Sequence, residues 1–373
     1  MTRTRTLTLV GGGTGGHVYP AVAIAEAWLA RGPGHRVSFI GSPEGLEARV
    51  IPELGYPFTA AKARRLKNAG LVERSRSLLT MPGAIARGRR LIKSHAPDVV
   101  LGVGGYVSGP VVLAASLTGL PVAVAEQNAV PGLTNRMLSR FAKRIYTAFP
   151  EAESRLPADK VRCLGNPVRR AILDASERTP EPEGRRVLVI GGSQGARALN
   201  RDLPHALARA GAEFPDLQVT HLAGPDRRAE AAEQYAAAGF ERVTVLEYLD
   251  DMASAFAQAD LVVARAGATT VAELAVMGRP SLLVPFPHAA DDHQTANAQS
   301  LVSAGGAVMV PEHTFESGAL LEHLMTLLSD LEGLRRMARS ARAHGRPKAA
   351  VDIAADLDAL AALATGQPAR SAS

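Results

Sequence analysis

The chain has 373 residues, of which 46% are hydrophobic and 21% are charged, and this length exceeds what one hydrophobic core usually supports. We therefore expect two domains. The single cysteine, Cys163, excludes a disulfide framework and any cysteine-based metal site. Nothing at the N-terminus resembles a secretory signal, so we expect a cytoplasmic protein.

The net charge of +6 is unevenly distributed. Residues 62–93 hold ten basic side chains and one acid, Glu73, interleaved with apolar residues. Such a segment suits either an anionic membrane surface, at about 1 kcal/mol per basic residue, or a solvated helix face whose other side lies in the core. No aromatic residue is interleaved with the basic ones, so we expect no nucleic-acid partner. Residues 99–125 carry no charge, yet their glycines and prolines predict strands, a loop and a short helix rather than a membrane span.

A strand predicted at residues 6–10 runs into a glycine-rich turn and then into a helix that starts at His17. The unpaired amides of such a turn and the positive end of the helix dipole suit a phosphate or another anion. The turn also fits the dinucleotide spacing G-x-G-x-x-G. A dinucleotide site, however, needs an acid at the end of the next strand, and here the nearest acid, Glu44, follows a proline. A nicotinamide or flavin cofactor is therefore disfavoured, and a purely structural turn remains an alternative.

Strands and helices then alternate along the chain, which predicts parallel sheets with helices on both faces. The first set of strands is predicted at 6–10, 37–40, 98–103, 122–125 and 144–146, with helices from 17, near 44–51, from 108 and at 133–141. The pattern restarts at residues 186–196 with a second strand and glycine turn, and it continues through strands at 218–222, 243–246, 261–264 and 281–285.

Two copies of one architecture predict an α/β chain of two Rossmann-like, doubly wound parallel-sheet domains facing a cleft. We predict an N-terminal domain over 1–166, a C-terminal domain over 167–349, a terminal helix at about 350–365 that packs back on the first domain, and a disordered tail at 366–373. Asp356 and Asp358 have the D-x-D spacing of metal-dependent sugar transferases. Because they lie in the terminal helix, we expect both on its solvated surface.

The second copy contains another candidate phosphate site, Arg265-Ala-Gly-Ala-Thr-Thr-Val-Ala-Glu273. Its turn and helix start suit a diphosphate, and Glu273 is placed to accept two hydrogen bonds from a ribose cis-diol. An ordinary acid near a helix N-terminus would give the same pattern. Residues 285–297 add a polar cluster in which a metal is the alternative to a sugar, through His288, Asp291, Asp292 and His293. Their spacing matches no metal site, whereas Gln294 and Asn297 suit a sugar.

Seven blocks spread from residue 12 to residue 297 carry these features. They are Gly12-Gly-Thr-Gly-Gly-His17, Gly104-Gly-Tyr-Val-Ser-Gly-Pro110, Glu126-Gln-Asn128, Gly165-Asn-Pro-Val-Arg169, Gly191-Gly-Ser-Gln-Gly-Ala-Arg197, Arg265-Ala-Gly-Ala-Thr-Thr-Val-Ala-Glu273 and His293-Gln-Thr-Ala-Asn297. In this order and at about this spacing, they resemble the MurG family, the peptidoglycan N-acetylglucosaminyltransferases that act on lipid I.

The resemblance implies a GT-B fold and an inverting transfer from UDP-N-acetylglucosamine (UDP-GlcNAc). The implied acceptor is undecaprenyl-pyrophosphoryl-MurNAc-pentapeptide (lipid I), whose 4-hydroxyl is glycosylated to give lipid II. The implied substrate-binding positions are Thr14, Gly15, Gly16, Tyr106, Asn128, Arg169, Ser193, Leu249, Ala268, Thr269, Thr270, Glu273, Gln294 and Asn297. The family can have glutamine where this chain has His293. Because the acceptor is a lipid, we expect peripheral binding to the anionic cytoplasmic face of the inner membrane.

An inverting transfer needs a base for the acceptor hydroxyl and stabilisation of the departing diphosphate. His17 is the first candidate base, because an imidazole with a pKa of about 6.5 is largely neutral at cytoplasmic pH. Glu126 is the alternative base, and a structural histidine is the alternative role for His17. Helix N-termini, Ser193 and Arg169 can stabilise the leaving group, so we expect no required cofactor or metal, with stimulation by magnesium left open.

Other functions remain open at this point. A UDP-GlcNAc 2-epimerase of related fold would hold the same donor without a lipid partner, and another lipid glycosyltransferase would differ only in its acceptor. A nicotinamide dehydrogenase lacks its ribose acid, and a non-catalytic nucleotide-binding module would transfer nothing.

Overall fold

The computed structural model describes residues 4–61, 71–192 and 195–364, with the side chains of residues 71–81 and 317 left undescribed. The chain divides into two compact units, Met1–Arg169 together with Lys348–Ser373 (unit 1) and Arg170–Pro347 (unit 2). The predicted tail at 366–373 and the first part of the basic segment lie outside the described residues.

The strands, numbered along the described chain, are β1 Arg5–Gly11, β2 His35–Gly41, β3 Phe58–Ala60, β4 Val99–Gly104, β5 Val122–Glu126, β6 Arg144–Thr147, β7 Val161–Cys163, β8 Arg186–Ile190, β9 Gln218–Leu222, β10 Val243–Leu246, β11 Leu261–Ala264, β12 Ser281–Leu283 and β13 Ala307–Met309. The α-helices are α1 Gly15–Leu29, α2 Glu47–Glu53, α3 Leu71–His95, α4 Ser108–Leu117, α5 Leu133–Leu138, α6 Arg170–Ser176, α7 Arg197–Glu213, α8 Arg228–Ala237, α9 Met252–Gln258, α10 Ala268–Met277, α11 His293–Ser303, α12 Ala319–Ser329, α13 Leu331–His344 and α14 Ala349–Ala364.

Unit 1 is built on a parallel sheet whose described strands have the order β3-β2-β1-β4-β5-β6-β7. Alternate residues of β1 serve different cores: Leu7 and Leu9 pack with α1 and α14, whereas Val10 packs with α3 and α4. This alternation is the period of a strand buried on both faces. The predicted doubly wound arrangement is confirmed for this half of the chain.

The terminal helix α14 packs against α1, and its docking overturns one expectation. Asp358 is buried rather than on the solvated surface: it forms ion pairs with Arg5 and Arg31, and its Oδ1 lies 3.3 Å from His35 Nε2. Asp356 accepts a hydrogen bond from the Tyr146 hydroxyl at 2.8 Å. The prediction failed because the basic partners come from β1, the turn after α1 and β2, more than 300 residues earlier. The D-x-D pair is therefore an anchor of α14.

Unit 2 has a second parallel sheet, in the order β10-β9-β8-β11-β12-β13 among its described strands. This is the 3-2-1-4-5-6 order of a Rossmann domain, so the strand order reverses between β8 and β11. In unit 1 the reversal lies between β1 and β4. Ligands of open α/β sheets bind outside the carboxyl ends of the strands at this reversal, so the turns after these four strands are the expected ligand-binding positions.

The strands that the sequence did not predict, β3, β7 and β13, have three residues each. Each lies at an end of the described strand order and pairs with one described neighbour. Such short segments are below the length at which alternation can be recognised. No helix within the described ranges is long and apolar enough to cross a bilayer.

Candidate functional site

The turn after β1 lies directly against the turn after β4. Gly11 and Gly104 both have positive φ, and a Cβ on Gly11 would fall 2.0 Å from the Gly104 carbonyl oxygen. Gly12 N donates a hydrogen bond to that same oxygen at 3.2 Å. Only glycine permits backbones to approach this closely. The sequence predicted each turn separately, but it gave no sign that they pack on each other.

The glycine turn leads into α1, where the first predicted base lies. Thr14 is the N-cap of α1, with Gly15 and Gly16 in its first turn. The His17 ring is half-buried, and its Nδ1 lies 3.5 Å from Thr14 Oγ1. A Cβ on Gly104 would fall 2.7 Å from His17 Cδ2, so the ring packs against the turn after β4. Tyr106, two residues further along that turn, is exposed.

An acid does reach the first glycine turn, but it is Glu47 at the start of α2. Its Oε2 accepts from Gly13 N at 2.7 Å, and its Oε1 accepts from Ser42 N at 2.8 Å. The amide of Gly13, which we expected to be available to an anion, is therefore already bonded to a carboxylate of the chain. Sequence reasoning considered only Glu44 and missed Glu47. The sequence feature that could have indicated Glu47 is the pair Gly41 and Gly45, because both leave room for its side chain.

Glu126, the alternative base, ends β5 and is buried beneath the loop that follows it. Its Oε1 accepts from Asn128 N at 2.9 Å and from Asn128 Nδ2 at 3.3 Å, while its Oε2 accepts from Gly132 N at 2.9 Å and Asn135 Nδ2 at 2.8 Å. Four donors thus converge on one carboxylate. Arg169, at the end of unit 1, places its guanidinium carbon 4.8 Å from the ring centroid of Tyr19 on α1.

In unit 2 the turn after β11 opens α10. Gly267 is the N-cap, Ala268 is buried, and Thr269 and Thr270 are half-buried in the first turn. Glu273 lies on the next turn and is only 6% exposed. The helix has no acid in its first turn, so no carboxylate of that turn offsets the positive end of the helix dipole.

The loop after β12 is fixed to this turn by Arg265, the residue after β11. Its guanidinium is paired with Glu312 at 2.6 Å and donates to the carbonyl oxygen of Pro285 at 3.1 Å. Gln294 Oε1 accepts from Phe286 N at 3.0 Å, so the amide nitrogen of Gln294 is directed away from that bond. Arg265 was part of a predicted block but had no predicted role.

The remaining predicted residues differ in their accessibility. Asn297 is fully buried, and its Nδ2 donates to the Ala266 carbonyl at 3.2 Å. Leu249 is half-buried between β10 and α9. Ser193 lies outside the described residues, and so does its neighbour Gln194. His293 Nδ1 lies 2.8 Å from the Ala290 carbonyl oxygen. No group of three or more His, Cys, Asp or Glu that could hold a metal ion occurs in the described part of the chain.

The two units match the two domains of one glycosyltransferase family. Residues 7–147 match the Glycosyltransferase family 28 N-terminal domain, and residues 186–353 match the Glycosyltransferase family 28 C-terminal domain. Together with the paired Rossmann-like sheets, these matches define a glycosyltransferase with the GT-B fold.

Comparison with individual proteins narrows the class. A UDP-N-acetylglucosamine--N-acetylmuramyl-(pentapeptide) pyrophosphoryl-undecaprenol N-acetylglucosamine transferase from Anaeromyxobacter sp. (strain Fw109-5) is 47% identical, over 93% of this chain and 91% of its own. The crystal structure of Acinetobacter baumannii MurG is 34% identical with a TM-score of 0.77, covering 95% of this chain and 99% of that chain. The chain belongs to the MurG family.

A UDP-GlcNAc 2-epimerase from Neisseria meningitidis, bound to UDP-GlcNAc, also superposes with a TM-score of 0.67 over 93% of this chain and 98% of that chain. At 14% identity this similarity reports a shared fold only.

Proposed function

We propose that the protein transfers N-acetylglucosamine from UDP-GlcNAc to the 4-hydroxyl of the muramoyl residue of lipid I, giving lipid II. The observation that carries this proposal is the family membership at 47% identity over nearly the whole length of both chains. The turn at the strand-order reversal of the second sheet supports it, because the N-terminus of α10 presents backbone amides of the kind that bind a diphosphate.

Unit 2 holds the donor in this proposal. The N-terminus of α10, with Ala268, Thr269 and Thr270, receives the diphosphate, and the positive end of its dipole stabilises the charge that grows as UDP departs. Glu273 accepts hydrogen bonds from the ribose, and the free amide nitrogen of Gln294 donates to the sugar. Leu249 lies beside the uracil, and Ser193 contributes a hydroxyl to the phosphates.

Asn297 and Arg265 support this site rather than line it. Because Asn297 is fully buried and bonded to the Ala266 carbonyl, it holds the turn that opens α10. Arg265 holds the loop after β12 through Pro285. In unit 1, the residues that contact the donor are Thr14, Gly15, Gly16, Asn128 and Arg169, and Tyr106 also binds substrate.

His17 is the general base in this proposal. The acceptor oxygen attacks the anomeric carbon, the bond from that carbon to the UDP oxygen breaks, and the acceptor proton passes to the imidazole. The donors around Glu126 favour His17, because all four point at the carboxylate and hold the loop from Asn128 to Gly132. Glu126 then positions Asn128. No metal or other cofactor is required in this proposal, because helix N-termini stabilise the negative charge on the departing UDP. Magnesium at most stimulates the reaction.

The acceptor is a membrane lipid, so the enzyme works at the anionic cytoplasmic surface of the inner membrane. Two surfaces of unit 1 support this. On α3, Arg87, Arg89, Arg90 and Lys93 are all exposed. On and just after α5, Leu133, Met137 and Phe141 are exposed at four-residue spacing, and no acidic residue occurs between Glu126 and Glu151. Both helices pack on α4, so they cover the same face of the sheet.

The test is transfer of labelled N-acetylglucosamine from UDP-GlcNAc to a synthetic lipid I analogue, with and without EDTA. We expect a β-1,4-linked product in both conditions, with one UDP released per transfer. UDP-GlcNAc incubated alone should give no 2-epimer. Formation of the 2-epimer, with no labelled lipid, would replace this proposal by the epimerase alternative. Transfer abolished by EDTA and restored by magnesium would refute metal independence.

A further inference from the structure

Glu47 carries a buried carboxylate to which the proposed reaction gives no role. It is the first residue of α2 and is only 3% exposed. It forms no ion pair within the described part of the chain. A buried carboxylate without a cation is costly unless hydrogen bonds satisfy it. Its hydrogen-bond partners therefore explain why the fold tolerates it.

The partners of Glu47 belong to two different turns. Gly13 N, in the turn after β1, donates to Oε2 at 2.7 Å, and Ser42 N, in the turn after β2, donates to Oε1 at 2.8 Å. Leu46 N adds a hydrogen bond to the Gly13 carbonyl oxygen at 3.4 Å. Hydrogen bonds from amides to a carboxylate are about twice as strong as neutral ones. The start of α2 thus holds the first glycine turn through a charged group.

The surrounding glycines are matched to this carboxylate. A Cβ on Gly12, Gly41 or Gly45 would lie 2.3, 2.5 or 2.2 Å from atoms of the Glu47 side chain, far closer than real Cβ contacts. Three glycines from two turns therefore make room for one side chain. This close approach accounts for Gly12 without any bound nucleotide.

The opposite side of the same turn is held by Gly104. Its carbonyl oxygen accepts from Gly12 N, and its Cα lies against the His17 ring. The turn that leads into α1 is thus hydrogen-bonded to Gly104 on one side and to Glu47 on the other. His17 is the third residue of that helix, so the position of its ring depends on both contacts.

We propose that Glu47 is a positioning residue for the transfer reaction: by holding the Gly13 amide, its carboxylate fixes the start of α1 and thereby the His17 imidazole. This inference rests on the base role proposed above for His17. Glu47 acts through the glycine turn and touches no substrate.

The experiment compares Glu47→Gln with Glu44→Gln in the full-length protein. Glu44 is an exposed acid three residues away, so its variant removes the same charge without the hydrogen bonds. Each protein is labelled with ¹³C-histidine, and the His17 ring signal is identified by its loss in His17→Ala among the ten histidines. UDP affinity is measured by calorimetry, and turnover is measured with the soluble lipid I analogue.

We expect Glu47→Gln to shift the His17 signal, to leave the UDP dissociation constant within twofold of wild type, and to lower turnover at least tenfold. Glu44→Gln should match the wild type in all three. A general loss of folding would weaken UDP binding together with turnover, and a loss confined to unit 1 would also shift the ring signals of His35 and His95. Positioning is therefore identified by a shifted His17 signal with the other histidine signals and the UDP affinity unchanged. An unmoved His17 signal with normal turnover in Glu47→Gln would overturn the proposal.

A second variant tests the same proposal if Glu47→Gln proves too unstable to measure. Gly45→Ala places a methyl group where the carboxylate lies while leaving Glu47 and Gly13 unchanged, and it should shift the same His17 signal and lower turnover in the same way. If instead this variant leaves both unchanged, the proposal fails. If the wild type transfers no sugar at all, the proposed function fails, and the His17 signal alone then decides whether Glu47 positions the ring.

Discussion

Glu273 illustrates how much a single side chain is expected to contribute to donor binding. If its carboxylate accepts two hydrogen bonds from the ribose, their loss in Glu273→Ala should cost roughly 2–4 kcal/mol of UDP binding, which is tens to hundreds of fold in affinity. Calorimetry with UDP measures this directly, with Glu322→Ala, an exposed acid on α12, as the control. A UDP affinity equal to that of wild type would remove the ribose assignment.

The choice between His17 and Glu126 as base also belongs to the residue scale. His17→Ala should leave UDP binding within twofold and lower turnover by about 10²–10⁴, the usual contribution of a general base. Glu126→Gln should act mainly on substrate affinity, because an amide group would face some of the donors that now bond to the carboxylate. Steady-state kinetics separate the two, with His205→Ala on the exposed face of α7 as the control. Turnover that survives in His17→Ala but is lost in Glu126→Gln would reverse the assignment.

His221 gives a prediction about pH and stability. It is fully buried on β9, with Nδ1 2.9 Å from the Tyr235 hydroxyl and Nε2 3.1 Å from Asn200 Oδ1. Because Asn200 Nδ2 donates to the Ala223 carbonyl, its Oδ1 faces the ring, so Nε2 carries the proton and Tyr235 donates to Nδ1. This chain of hydrogen bonds joins α7, β9 and α8. It requires a neutral imidazole.

Burial lowers the pKa of His221 to about 4. Below pH 6.5 the unfolded chain binds a proton here that the folded chain does not bind until about pH 4, so stability falls as the pH falls through this window. The loss should reach about 3 kcal/mol. Urea unfolding between pH 7 and pH 4 should show a shallower pH dependence in His221→Gln than in wild type. An unchanged slope would show that another group titrates.

At the scale of elements, Asp358 explains why the last helix belongs to the first unit. Burial raises the pKa of its carboxyl, but hydrogen bonds from Arg5 and Arg31 outweigh this and hold the pKa below its usual value. The ionised carboxylate thus attaches α14 to β1 and to the turn after α1. Removing one partner of a buried ion pair leaves the other charges unpaired, which costs about 3–5 kcal/mol.

Asp358→Asn should therefore lower the melting temperature and expose the end of the chain to limited proteolysis. Asp352→Asn, an exposed acid on the same helix, is the matched control and should behave as wild type. Equal protease resistance of the two variants would show that apolar packing alone, through Ile353 and Leu357, holds α14 in place.

The elements also show what the sequence could and could not predict. Both sheets follow from alternating apolar strands and helices, which is local information. Glu47 and Asp358 were missed or misread because their partners come from elsewhere: the Gly13 amide lies 34 residues before Glu47, and Arg5 lies 353 residues before Asp358. Hydrophobic periodicity marks which face of an element is apolar, but it cannot show which charge another segment will bury.

At the scale of the whole molecule, the open question is how an enzyme without a described membrane-spanning helix meets a lipid acceptor. A cationic surface alone gives salt-sensitive attraction, and exposed apolar side chains add affinity that salt does not weaken. Unit 1 offers both on α3 and α5. We therefore expect two separable contributions to membrane binding.

Sedimentation with anionic vesicles can separate them. Neutralising Arg87, Arg89 and Arg90 with glutamine should weaken binding at low salt, by about 1 kcal/mol for each charge near the surface, and should flatten the salt dependence. Replacing Leu133, Met137 and Phe141 with serine should weaken binding at every salt concentration and leave that dependence unchanged. Leu363→Ser, an equally exposed leucine on α14, is the control for the apolar set, and Arg170→Gln is the control for charge.

Turnover with the soluble acceptor analogue should be unchanged in both sets, because neither touches the proposed donor or base residues. Turnover with lipid I in vesicles should fall in proportion to binding. If vesicle binding is unchanged by ionic strength and by both sets of substitutions, the membrane contact lies elsewhere on the chain. The enzyme must reach the acceptor headgroup at the bilayer surface. If a variant no longer binds the vesicles but still glycosylates their lipid I, then contact with the headgroup alone is sufficient for acceptor binding.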